Sequence, residues 1–117
     1  MNQSKNTFEC YLKELADAER FGLMAVRTTV DTGLEKWKDD WAKLAQISDF
    51  LISQGNLADC RKDNELTGTY LLLIHQTWDF AEEHLSQVHF HDFCNYSLRN
   101  RHYAMYADLA VEILQDL

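Results

Sequence analysis

The chain contains no proline and only four glycines, so few positions oblige it to break a helix or turn tightly. Its three cysteines, Cys10, Cys60 and Cys94, are odd in number, far apart and free of any C-x-x-C pair. That argues against a disulfide framework, favours a reducing compartment, and makes each cysteine read as a small buried hydrophobe. Long apolar runs are also missing. The longest aliphatic run is Leu71 to Ile74 and the first ten residues hold none, whereas a span needs about 20 apolar residues. A cytoplasmic chain without membrane association is expected.

Positive charge is the other scarcity. The formal net charge is −8, which argues against direct binding of nucleic acid, since affinity for phosphates comes from clustered Lys and Arg. Residues 1–62 hold 10 acids and 9 bases, a net of −1, whereas residues 63–117 hold 9 acids and 2 bases, a net of −7. Between Lys62 and Arg99 there is no Lys or Arg, yet Asp63, Glu65, Asp79, Glu82, Glu83 and Asp92 fall there.

What is present is helical periodicity. With 46% hydrophobic and 26% charged residues in 117, the composition is that of one globular domain able to bury a core. Asn6 and Glu9 have capping-box spacing, and Phe8, Leu12, Leu15, Leu23, Val26 and Val30 follow at helical steps with one gap near Glu19, which predicts a helix over 7–30. Thr32 and Glu35 repeat the cap spacing, with Gly33 as the break, and open a helix over 34–54 carrying Leu34, Trp37, Trp41, Leu44, Ser48 and Leu51 inward. Gly55 is its natural stop, and residues 55–64 read as a loop. A third helix over 65–88 turns Leu66, Tyr70, Leu73, Ile74, Thr77, Ala81, Leu85 and Val88 inward, and a fourth segment over 90–116 breaks near 97–100, where Asn100 serves as a cap. Beyond it Tyr106, Leu109, Ile113 and Leu117 line one face. No stretch alternates apolar and polar residues over a length useful for a strand. The expected fold is all-α: a single compact bundle of four main helices with one or two short ones.

Three of the five histidines, His84, His89 and His91, lie close to Cys94, a set of side chains able to ligate a transition metal if the chain gathers them. They lack the duplicated spacing that puts ligands on one helix face, so no metal and no cofactor are expected. His75 and Asp79, four apart, share a helix face, and Arg99 and His102 are near neighbours, but no nucleophile stands beside a base and no phosphate loop is present, so the chain does not read as an enzyme. Half of the 14 aromatics lie between Trp78 and Tyr106, and Trp78, Phe80, Tyr96 and Tyr103 fall off the inward stripes. Aromatic anchors among carboxylates are the composition of an interface for a basic partner. The expected function is therefore an acidic protein-binding module, an inhibitor, immunity protein or anti-defence blocker. It would occlude a basic surface, such as that of a nuclease or nucleic-acid-binding complex, as a nucleic-acid mimic. Trp78, Tyr96 and Tyr103 are its expected anchors, and Asp79, Glu82, Glu83 and Asp92 its steering charges. The alternatives are a metal-binding or catalytic bundle built on His84, His89, His91 and Cys94, and a structural subunit of a larger assembly.

Overall fold

The computed structural model describes the backbone of residues 3–106 and the side chains of residues 7–106. The described residues form six α-helices and no strand: α1 (Gln3–Ala18), α2 (Leu23–Lys36), α3 (Trp41–Cys60), α4 (Asn64–His84), α5 (Gln87–Cys94) and α6 (Leu98–Met105). A single 3-10 turn, Glu19–Phe21, joins α1 to α2. The fold is compact and all-α, and none of these helices is long and apolar enough to cross a membrane. The expected positions Leu109, Ile113 and Leu117 lie outside the described residues, as does the side chain of Asn6.

The helix expected over 7–30 is two helices. Gly22 takes φ 105° and ψ 172°, a backbone state open essentially to glycine alone, and this break coincides with the gap in the apolar stripe near Glu19. Glu19 ties the turn to α4 and to the residue following α3 by accepting from the Tyr70 hydroxyl at 2.6 Å and from Arg61 at 3.4 Å. Asn6 sits inside α1 and does not cap it. Nor does the chain break at Gly33. There α1 crosses α2 so closely that a Cβ would overlap the phenol ring of Tyr11, whose hydroxyl donates to the Thr29 carbonyl at 2.7 Å. The β-branched run Thr28 to Val30 stays helical, with the Thr29 and Thr32 hydroxyls bonded back to the Ala25 and Thr28 carbonyls.

The real break falls between Trp37 and Asp40. Asp40 caps α3 by accepting from the Lys43 amide at 3.2 Å and the Lys43 Nζ at 2.8 Å. Burial works against its carboxylate, but those hydrogen bonds hold the Asp40 carboxyl below the usual range. Gly55 is buried where α3 meets α4, with the Tyr70 Cβ 3.3 Å from the place its own Cβ would occupy, so α3 continues through it to Cys60. Most of the expected loop over 55–64 is thus helix. The short turn that remains passes through Lys62 at φ 60° to Asp63, which caps α4 by accepting from the Leu66 amide at 3.1 Å.

Helices α3 and α4 are the central pair. Leu44, Ile47 and Leu51 of α3 interleave in the core with Tyr70, Leu73 and Ile74 of α4. Helix α2 packs on both, bringing Val26, Val30 and Leu34, and α1 is held chiefly through α2. Phe8, Tyr11 and Trp37 join their rings at that end, with centroids 4.8 Å and 4.9 Å from Trp37. Helices α5 and α6 also pack on α3.

A polar junction inside the core joins these helices to α4. Ser48, the single polar residue on the α3 stripe, accepts from the Trp78 Nε1 at 2.9 Å and donates to the Asn100 Oδ1 at 2.9 Å. The Asn100 amide in turn donates to the Phe93 carbonyl at 3.2 Å and the Ala45 carbonyl at 3.4 Å. Asn100 is therefore not the cap of α6. Ser97 is, accepting from the Asn100 amide nitrogen at 3.1 Å while donating to Asp49 at 2.5 Å. Among the described residues no buried side-chain polar atom lacks a partner.

Candidate functional site

The widest gathering of expected charges is a groove between α2 and α4. Asp79 and Glu83 stand one turn apart on α4, and Asp31 faces them from α2; Leu72, Leu73 and Phe80 supply the apolar lining, and the concavity measures about 570 Å³. Gln76 spans the two helices, its Nε2 donating to the Asp31 Oδ1 at 2.6 Å. The expected His75 and Asp79 pair forms, at 3.3 Å. Arg27 is the one Lys or Arg among the residues lining the groove. Phe80 is half-buried, its ring 4.3 Å from that of His84.

The other expected interface residues do not share this groove. Trp78, expected as an exposed anchor, is only 9% accessible. Its ring packs 5.0 Å from Phe93 and 4.9 Å from Tyr103, and its indole N–H is taken by Ser48, so it belongs to the core. Tyr103 is half-buried against it, its hydroxyl pushed up to about 12 by burial and then by the charge of Asp79. Tyr96 is exposed and lines a separate small concavity with Asp49, Phe50 and Arg99. Glu82 lies outside the groove lining; burial and then its charge push the Cys94 thiol up. Asp92 is half-buried on α5. Asp79 and Glu83 are thus brought together, while Trp78 is part of the core and Glu82, Asp92, Tyr96 and Tyr103 lie outside the groove.

The histidine and cysteine candidates do not converge. Among the described residues no three His, Cys, Asp or Glu side chains come close enough to hold a metal ion. The cause is local. Helix α4 ends at His84, Leu85 is extended, and Ser86 caps a new helix by accepting from the His89 amide at 3.2 Å. His89 and His91, two apart on α5, then project from different sides of the helix. His84, His89 and His91 are all exposed and Cys94 is half-buried. Cys10 and Cys60, expected as buried hydrophobes, are exposed as well. Arg99 and His102 line one further concavity, where Arg99 is engaged by Asp49 at 3.3 Å.

Asp31, Arg27 and Gln76 are absent from the sequence-based candidates. Their share in the groove depends on α2 lying beside α4, and periodicity within one helix carries no information about its neighbour. Comparison with known proteins gives no matching family model, no matching characterised protein and no matching solved structure.

Proposed function

We propose that the chain is an acidic protein-binding module, acting as an inhibitor, immunity protein or anti-defence blocker by covering a basic surface of a partner protein. The observation that carries the reading is the distribution of charge on α4 and α5. Between Lys62 and Arg99 the chain has no Lys or Arg, while Glu65, Asp79, Glu82 and Glu83 stand exposed on α4 and two of them meet Asp31 across a groove. Such a surface attracts Lys and Arg, repels nucleic acid, and competes with phosphates for the basic groove of a nuclease or similar target. Tyr96 remains an exposed aromatic available to such a contact, whereas Trp78 is committed to the core.

The test is capture from the native host's lysate followed by association kinetics. One basic protein recovered near stoichiometrically and released by salt is the expected result. Reversing Glu82 and Glu83 to Lys should slow its association by about tenfold or more near 10 mM ionic strength, and the difference should shrink at high salt. An unchanged on-rate at low salt would refute the reading.

A further inference from the structure

We infer that the groove between α2 and α4 is a seat for one helix of the partner, an amphipathic helix with an apolar stripe flanked by Lys or Arg. The inference rests on the acidic-module reading and names the shape of what that module takes.

The lining is ordered by chemistry. Leu72 of α4 is 50% accessible, and the half-buried Phe80 carries apolar surface further along the same helix, with the core residue Leu73 beneath. Asp31 faces that surface from α2, and Asp79 and Glu83 continue the stripe of Leu72 about two and three turns further along α4. From Leu72 to Glu83 the α4 side of the groove is a continuous helix, about 16 Å long at the usual rise, which is three turns. Apolar residues on one face of a partner helix, repeating at three- and four-residue steps, match such a floor, and cations beside them reach the carboxylates.

Other occupants fit less well. An extended peptide gains affinity by adding to a sheet edge, and the described residues contain no strand. Nucleic acid would place phosphates against Asp31, Asp79 and Glu83. A second copy of this chain would bring its own net charge of −8 against the same carboxylates. Glu83 has no hydrogen bond or ion pair with any described residue, so its charge is available to a cation from outside.

The experiment titrates the whole chain with two synthetic peptides of equal positive charge, followed by backbone amide NMR and fluorescence anisotropy. One is an amphipathic Leu/Lys helix of about five turns, and the other replaces every Leu with Ser. The Leu/Lys peptide should saturate, shift the amides of Asp31, Leu72, Gln76, Phe80 and Glu83, and bind at least about tenfold more tightly than the Lys/Ser peptide. Leu72→Ser and Glu83→Lys should each weaken it by about tenfold, with only the latter effect fading as salt rises.

Equal affinity for both peptides would overturn the helix seat and leave the acidic module standing. Saturation with shifts on another face would overturn the assignment of the groove. Failure of both peptides to bind at low salt would overturn the module and the seat together. A dimer in sedimentation that Leu72→Ser disperses would give the groove to a second copy and equally overturn the proposal.

Discussion

Replacing Asn100 should disturb this protein more than any other polar substitution in it. Asn100→Ala removes the acceptor of the Ser48 hydroxyl and the donor to the Phe93 and Ala45 carbonyls, all inside the core. The Phe93 carbonyl keeps the Tyr96 amide at 3.3 Å, and the Ser48 hydroxyl keeps the Trp78 indole as its donor, so the junction is weakened and not emptied. A buried group left without a partner costs about 1–3 kcal/mol, and counting one such group plus the truncated volume gives a loss of about 3 kcal/mol. For a domain of this size that corresponds to a fall in Tm of roughly 10–15 °C. Ser48→Ala should cost about 2 kcal/mol by stranding the Trp78 N–H, and the double variant should lose about 1 kcal/mol less than the sum. Urea denaturation followed by circular dichroism measures all three. A loss under about 0.5 kcal/mol for Asn100→Ala, or strict additivity with Ser48→Ala, would refute the idea that the three side chains act as one connected unit.

Gly33→Ala should destabilise by about 1–3 kcal/mol because its methyl group must displace the Tyr11 ring, and Gly22→Ala by a similar amount from backbone strain alone, since nothing lies near its Cβ. Adding Tyr11→Phe, which leaves the ring in place, should rescue neither, whereas Tyr11→Ala should relieve Gly33→Ala only; thermal melts distinguish these patterns. Asp40→Ala and Asp63→Ala each remove a cap and should cost about 1 kcal/mol in the same melts. The Asp40 contribution is present above the unfolded carboxylate range and is lost as pH falls through its lowered native value. Burial raises the hydroxyls of Tyr11 and Tyr70 well beyond the usual range, and Tyr103 to about 12. Their contribution is intact below about pH 10 and drains as pH rises beyond it, by up to roughly 1.4 kcal/mol per unit for each group; a urea midpoint that stays flat between about pH 9 and 11.5 would contradict this.

The central helices were legible because their stripes are long and regular. Leu44, Ser48 and Leu51 of α3, and then Leu66, Tyr70, Leu73, Ile74, Thr77 and Ala81 of α4, all fall on the buried side as their spacing predicts. The breaks were not legible, because a glycine looks the same whether it ends a helix or lets two helices touch. Gly33 and Gly55 serve the second purpose, and only the position of Tyr11 and Tyr70 across the interface decides it. Carrying the α4 stripe past His84 turns Val88 inward, but the helix ends there and Val88 is 70% exposed. Trp78 is the instructive error. It stands four residues after Ile74 and three before Ala81, so it extends the same stripe, and helix α4, covered by α2, α3 and α5, buries a broader arc than one seam. The groove was half legible: Asp79 and Glu83 follow from α4 alone, while Asp31 requires knowing which helix lies beside it.

The tight turn at Gly22 bears on how the protein could be divided. Phe21 and Met24 stand on either side of it, 79% and 72% exposed, at a place an enzyme or an inserted sequence can reach. The attachments of α1 beyond the turn run across space, through Tyr11 lying on Gly33 and the rings of Phe8 and Tyr11 against Trp37. Cut at the turn, the first helix would become a free peptide whose binding site is the rest of the molecule. What the intact chain supplies through tethering would then have to be supplied by concentration.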